Sequence, residues 1–426
     1  AVEDGVLVRD ERCASSADQI RGDSSILAQL RNLVADELNV PPPDVDDPLG
    51  YQGISSLSFS VLAARIHDRF GMDFRAHDFY RLPTLRELAS AVTSSGGDGI
   101  PRSQERSSDG PAKLVPACDG CPSQHSSTND HRLAIIGMDA VLPGGSSPDD
   151  FWSFLMNGRS AVKGAEPRRG LGDDHAAFID SVRSFDARFF AISPLEASWM
   201  DPRQRLLLQS CWHSIENAGI PPSRLRGSRT GSYVASTGND YAILQARAGT
   251  EQAPHSLVGA SASLLANRLS SYFDWSGPSI TLDTACSGSL VALVHACRDL
   301  CLGVCDFAVV SGVNLILDRQ VTDGLYAAGL LSPRHRCSAF SKAADGYVRG
   351  EGYGSLLVCR LSDALEQKHR VMAVVESAVE NHGGRANSIT APNLEAQKRL
   401  LLSAYTPDLA ARTSYIETHG TGTLLG

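Results

Sequence analysis

Cys286 sits in the string Asp283-Thr284-Ala285-Cys286-Ser287-Gly288-Ser289-Leu290, a thiol among small residues. Ser279, Ile280, Thr281 and Leu282 before it form a β-prone run. After it Leu290, Val294, Cys297 and Cys301 recur at helical spacing, and a second apolar strand follows at 307–310. A cysteine between a strand and a helix N-terminus meets the unpaired N–H groups and the positive end of the helix dipole. Both stabilise a thiolate, the nucleophilic form. Cysteine is also commonly a small buried hydrophobe, and the local pattern alone fits either role.

Two further positions have chemistry-bearing types. His419 lies in Glu417-Thr418-His419-Gly420-Thr421-Gly422-Thr423, where small neighbours allow close approach to a ligand. A lone histidine is more often structural or solvated, but a cysteine nucleophile needs a depressed pKa or a nearby base. Ser56 lies in Gly53-Ile54-Ser55-Ser56-Leu57, at the entrance to a helical run. A phosphate attached there would be stabilised by free N–H groups, while a plain N-cap serine is the commoner case. The Gly-rich strings 346–352 and 382–385 have neither a Walker pattern nor a strand–GxGxxG–helix setting, so they read as turns. Cys118 and Cys121 form one CxxC without a second pair at zinc spacing, so no metal site is expected.

The elements that must position these residues fall into segments. Residues 1–22 are polar and read as disordered or linker. A small helical unit spans 23–94. Its first helix uses Ile26, Leu27, Leu30, Leu33, Val34 and Leu38, with Asp23 or Ser24 as N-cap, and ends at Pro41-Pro42-Pro43. A second helix fits Ser56 to Phe70, using Leu57, Val61, Ala64 and Ile66, and Gly71 stops it. A third starts at Pro83 and runs through Leu85, Leu88 and Val92. Residues 95–131 are rich in Ser, Gly, Pro and charge, a flexible linker. From Leu133 short buried strands alternate with helices: strands at 133–137, 231–235, 279–282, 307–310, 354–360 and 371–379, and a helix at 206–218. That alternation predicts a largely parallel sheet covered by helices.

Bulk numbers bound the function. A hydrophobic share of 42% supports a real core, and a net charge of −9 argues against a nucleic-acid-binding surface. No run of about 18 apolar residues predicts a membrane span. Ten cysteines in 426 residues, six of them in apolar or helical segments, suit a reducing compartment and hence the cytoplasm.

From about residue 132 onward the chain resembles the ketosynthase domain of modular polyketide synthases and type I fatty acid synthases. The strings that carry the resemblance are LAIIGMDAVLPGG (133–145), DPRQRLLLQSCW (201–212), GPSITLDTACSGSLVAL (277–293), ADGYVRGEGYG (344–354), NSITAPN (387–393) and ETHGTGTLLG (417–426). Residues 24–94 resemble an acyl carrier domain through GISSLS and FYRLPTLRELA (79–89). The resemblance implies a small all-α four-helix carrier domain at 23–94. It implies an α/β thiolase-like layered fold (αβαβα) at 132–426, with its C-terminal half incomplete.

It also implies roles. Ser56 would carry 4′-phosphopantetheine, added from coenzyme A by a separate phosphopantetheinyl transferase, with the acyl chain held on its thiol. Cys286 would accept that chain by transthiolation, an acyltransferase step, and its backbone N–H would form part of the oxyanion hole. A malonyl-type extender thioester on another carrier would lose CO₂ and attack the Cys286 thioester in a Claisen condensation. His419 matches the first of the family's two active-site histidines and would stabilise the developing enolate. A complete ketosynthase would pair with a second copy as a homodimer.

The chain departs from the family at several places. Ser55 stands where carriers usually have Asp before the modified serine. Arg65 and Arg69 lie on a helix that is acidic in many carriers. Gly288 replaces a serine common in relatives. The family's second histidine, its lysine and a glycine-rich phenylalanine loop lie beyond Gly426, so the piece is expected to be a poor condensing enzyme with exposed core surface. A carrier ahead of a ketosynthase favours a polyketide line over a type I fatty acid synthase. A non-catalytic carrier and docking piece is the alternative from another class.

Overall fold

A computed structural model describes residues 25–36, 41–49, 56–72, 74, 78–79, 82, 84–94, 132–166, 170–172, 174–250, 255–384 and 392–423. The chain forms two compact units, residues 1–127 with 186–198, and residues 128–185 with 199–426.

The described residues up to Ser94 form three α-helices, α1 (25–36), α2 (Ser56–Phe70) and α3 (Leu85–Ser94), with a short 3₁₀ turn at 78–79. The fourth helix expected of a carrier is not among the described residues. Leu30 and Val34 of α1, Leu62, Ala63 and Ile66 of α2, and Leu85, Leu88 and Ala89 of α3 close one core with Leu49, Phe74 and Phe79. Spacings of three and four put these side chains on one face of each helix. Ala64, expected inside, is exposed, because Leu62, Ala63 and Ile66 occupy the inner stripe. Gly71 ends α2 as the sequence predicts: it takes φ 69° and donates its N–H to the His67 carbonyl at 2.8 Å. The third helix starts at Leu85. Thr84 and Glu87 form a reciprocal capping box, with Glu87 N–H to Thr84 Oγ1 at 3.2 Å and Thr84 N–H to Glu87 Oε2 at 3.1 Å. Asp23, Ser24, Leu38, Ser55, Pro83 and the 95–131 segment lie outside the described residues.

The second unit is built on a six-stranded sheet. Its strands are β1 (Leu133–Val141), β4 (Thr230–Ser236), β5 (Ser279–Leu282), β6 (Phe307–Asn314), β7 (Gly352–Arg360) and β8 (Ala373–Val375), while β2 (Val162–Gly164) and β3 (His175–Ala177) pair separately. The order across the large sheet is β5-β4-β6-β7-β1-β8. β4 is parallel to β5 and β6, as strand–helix alternation requires. The sheet is nevertheless mixed, a correction to the parallel expectation: β7 runs antiparallel to both β6 and β1, and β8 antiparallel to β1. The long excursion between β6 and β7 reverses the chain, and no periodicity in the strands encodes that. The strand expected over 371–379 is confined to Ala373–Val375.

Helices cover the sheet. α6 (Gly288–Cys301) packs on β4 and β6, with Ala292, Ala296 and Leu300 against Tyr233, Ala235, Ala308 and Val310. The alternate residues Val234, Val309 and Leu357 are equally buried. α4 (Pro202–Asn217) packs on β1 and β7, and α5 (Leu264–Phe273) on β4 and β5. Burial on both faces explains why β4 reads as an unbroken buried run. Gly137 of β1 lets α4 lie close: a Cβ there would sit 2.2 Å from the Ser214 carbonyl oxygen.

Candidate active site

β5 delivers the chain to the Cys286 elbow. The Asp283 carboxylate accepts a hydrogen bond from the Ala285 N–H at 2.9 Å, and the Ser287 hydroxyl donates to the Thr284 carbonyl at 2.9 Å. These bonds hold Ala285 at φ 52°, a left-handed conformation that costs a non-glycine residue about 1–3 kcal/mol. A single 3₁₀ turn, Ala285–Ser287, then passes into α6 at Gly288. Gly288 is buried, and a Cβ there would lie 3.2 Å from that of Ala235, so the first turn of α6 rests close on β4. Cys286 itself is exposed. Leu290, expected on the buried stripe, is 71% exposed, because the alanines at 292 and 296 set the inner face of α6.

Cys286 opens on a cavity of about 900 Å³. Its walls come from the elbow, Ser236 at the end of β4 and Thr237 after it, the end of β6, and residues 347–356. Parallel strands β4, β5 and β6 all point their carboxyl ends toward it, the usual place for a ligand in an α/β sheet.

Three residues that sequence reasoning passed over shape this cavity. Arg203 is buried with Asp201 and bonds its Oδ2 through Nη2 at 2.7 Å. Its Nη1 reaches Ser236 Oγ at 3.0 Å, the Thr237 carbonyl at 3.2 Å and the Gly238 carbonyl at 2.8 Å. One guanidinium thus fixes the turn leaving β4. Glu351 is also buried, and its carboxylate accepts from the backbone N–H groups of Ile179 and Ile316 at 3.1 and 3.0 Å. Tyr347 lines the cavity between two backbone bonds, its N–H to the Leu330 carbonyl at 3.0 Å and its carbonyl to the Ser332 N–H at 2.9 Å. Burial pushes its phenol pKa up; Arg349 opposes the shift and nearby Cys286 adds to it. Tyr347 and Glu351 lie in the Gly-rich string 346–352, which read as a turn. Its glycines differ: Gly346 takes φ 139°, with its Cβ position 2.4 Å from the Ser332 nitrogen, whereas Gly350 bridges to Ala177 and Gly352 opens β7.

His419 is exposed and is not among the residues lining the cavity. Its loop turns through Gly420 at φ 42° and Gly422 at φ 74°, and the Gly422 carbonyl accepts the Gly346 N–H at 3.0 Å. Segment 346–347 therefore serves both: Gly346 holds the His419 loop, and Tyr347 lines the cavity of Cys286. Ser56, in the other unit, is the first residue of α2, whose first turn carries no carboxylate. Among the described residues no group of three or more His, Cys, Asp or Glu is placed to hold a metal, and no helix is long and apolar enough to cross a membrane.

Comparison with known proteins decides the family. Residues 130–364 match the N-terminal domain of β-ketoacyl synthases, 372–426 match their C-terminal domain, and 28–92 match the phosphopantetheine attachment site family. The chain belongs to the β-ketoacyl synthase family. It carries a phosphopantetheine-attachment domain ahead of the ketosynthase, the arrangement of a modular polyketide synthase. A phenolphthiocerol/phthiocerol polyketide synthase protein of Mycobacterium tuberculosis is 36% identical over 427 residues, covering 96% of this chain and 22% of its own length. The spectinabilin polyketide synthase system protein NorA' of Streptomyces orinoci is 42% identical over 306 residues, 70% of this chain and 8% of its own. Among solved structures, the ketosynthase from module 6 of the bacillaene synthase of Bacillus subtilis 168 superposes with a TM-score of 0.64 at 34% identity. That match covers 68% of this chain and 51% of the other, so the chain spans about half the length of that ketosynthase. The oxazolomycin ketosynthase domain OzmH KS7 of Streptomyces albus JA3453 gives 0.63 at 35% identity, covering 69% and 53%. These likenesses identify the second unit as a mixed α/β thiolase-like ketosynthase fold.

Proposed function

We propose that the parent polyketide synthase passes an acyl chain from Ser56 to Cys286 and extends it there. The observation that carries this reading is an exposed cysteine on a strained strand-to-helix elbow, opening on a cavity at the carboxyl ends of three parallel strands. The carrier spans 23–94 and the ketosynthase 132–426, joined by a linker at 95–131.

Ser56 fits the attachment of phosphopantetheine by a phosphopantetheinyl transferase. It opens a 15-residue helix whose free N–H groups and positive dipole end favour a phosphate, with no carboxylate in the first turn to oppose it. That prosthetic group supplies a terminal thiol on which the chain is carried as a thioester. Cys286 Sγ, as thiolate, attacks the thioester carbonyl. A new S–C bond forms at Cys286, the old one to the carrier thiol breaks, and the leaving thiolate takes up the proton released by Cys286. The backbone N–H of Cys286 stabilises the oxyanion of the tetrahedral intermediate. A malonyl-type thioester on another carrier then loses CO₂, and its carbanion attacks the Cys286 thioester: a C–C bond forms, the S–C bond to Cys286 breaks, Cys286 leaves as thiolate, and the lengthened chain stays on the extender's carrier thiol. His419 acts in that half-reaction by hydrogen-bonding the extender's thioester oxygen as the enolate develops. β5 is an edge strand, which can pair with its equivalent in a second copy, and this supports a homodimer.

The test is acylation with a small acyl thioester followed by peptide mass mapping. The acyl group is expected on the Cys286 peptide and absent from the Cys286→Ala protein. Equal labelling of the two proteins rules out this nucleophile.

A further inference from the structure

We infer that the Tyr347 hydroxyl is a specificity-determining hydrogen-bond donor that favours acyl chains bearing an oxygen at the β-carbon. This rests on the reading of Cys286 as the acyl acceptor and names a substrate class for that site.

Two phenols line the cavity, and they differ in their surroundings. Tyr353 lies on β7 under the influence of Asp139. Tyr347 stands where its electrostatic neighbours are Arg349 and Cys286. Its backbone is fixed on both sides by the bonds to Leu330 and Ser332, and Gly346 before it is held to Gly422 at 3.0 Å. The ring therefore sits in a braced segment rather than a free loop. Among the described residues the Tyr347 hydroxyl has no hydrogen-bond partner, although the residue is half-buried. Tyr347 lines a cavity that an acyl chain would fill, and a polar hydrogen that loses water there without gaining a partner is destabilising.

The chain on Cys286 can relieve that cost in one way. Its thioester oxygen is engaged by the oxyanion donors at the elbow. In a chain built by Claisen condensation the next oxygen along from the thioester is on the β-carbon. Claisen condensation itself leaves a β-oxygen, first as a ketone and, after reduction, as a hydroxyl. A chain reduced fully to methylene has no acceptor and leaves the phenol unpaired. Sites built to hydrogen-bond a substrate oxygen discriminate against the analogue lacking it, because their own polar group is then stranded.

The experiment uses the whole 426-residue chain and a matched pair of donors, the N-acetylcysteamine thioesters of 3-hydroxybutanoate and butanoate. Each is offered to the wild type, Tyr347→Phe and Cys286→Ala, and the rate of acyl appearance on the Cys286 peptide is measured. The wild type is expected to prefer the hydroxylated donor by about five- to tenfold, the worth of roughly one hydrogen bond. Tyr347→Phe keeps the ring and removes one oxygen. It should abolish that preference, read as the ratio of the two rates within one protein, while both donors still label the Cys286 peptide, which shows an intact fold and a reactive thiol. A purely structural tyrosine would change both rates together and leave the ratio fixed. An unchanged ratio in Tyr347→Phe, or no wild-type preference, overturns this inference and leaves the role of Cys286 standing. Failure of both donors to label Cys286 in the wild type overturns this inference and the reading of Cys286 together.

Discussion

The Cys286 elbow shows how one residue's chemistry is set by its immediate neighbours. Asp283 and Thr284 spend their polar atoms on Ala285 and Ser287, so the turn keeps its left-handed residue without help from distant parts of the fold. A second local pair makes a prediction about pH. His213 Nδ1 lies 3.7 Å from Asp139 Oδ1, and the Asp139 carboxylate holds the imidazole pKa above its ordinary 6.5, against the effect of partial burial. Folding thus favours the protonated ring. The pair's contribution is fully present below pH 6.5 and is lost as pH rises through the raised value. An NMR titration of His213 should show that elevation, and Asp139→Asn should bring the pKa back down. A His213 pKa at or below the ordinary value in the wild type contradicts it.

At the scale of elements, α4 is the hub of the ketosynthase unit. Arg203→Met removes a cation that is buried against Asp201 and that also fixes the Ser236–Gly238 turn. Breaking one partner of such a pair should cost about 3–5 kcal/mol, read as a lower midpoint in urea unfolding of this unit. A loss under about 1 kcal/mol would mean the pair is not buried in solution. Gly137→Ala tests the α4–β1 contact. The added methyl meets a backbone oxygen that cannot swing aside, so about 1–3 kcal/mol should be lost. A neutral result would show that the helix can lift. Much of this scale was legible in the sequence. Ser279–Leu282 and Ser56–Phe70 occur with the bounds their patterns predict, because strand propensity and helical period are local signals. The direction of β7 was not legible, since it depends on where a long connection returns. On α6, Val294 and Cys297 are buried as their spacing predicts, whereas Leu290 and Cys301 are exposed, because Ala292 and Ala296 pack inward by being small. Tyr347 and Arg203 were missed for a related reason: a tyrosine in a Gly-rich turn and an arginine in a helix give no sign of which cavity they will serve.

At the scale of the whole molecule the proposed transfer joins a carrier serine, Ser56, to an acceptor thiol, Cys286. Each unit has its own core, with Leu30, Leu62 and Leu88 in one and Tyr233, Ala296 and Val358 in the other. The Ser56→Ala protein should take up no phosphopantetheine when treated with a transferase and coenzyme A, while the wild type gains one group by intact mass. The central claim is that cargo entering at Ser56 reaches Cys286. The most direct measurement loads the wild-type chain with butanoyl-phosphopantetheine from butanoyl-coenzyme A and a transferase, then follows the Ser56 and Cys286 peptides by mass over time. The butanoyl group should leave the Ser56 peptide as it appears on the Cys286 peptide, and should stay at Ser56 in Cys286→Ala. A loaded Ser56 that never transfers in the wild type, or one that loses its acyl group equally fast in Cys286→Ala, would contradict it.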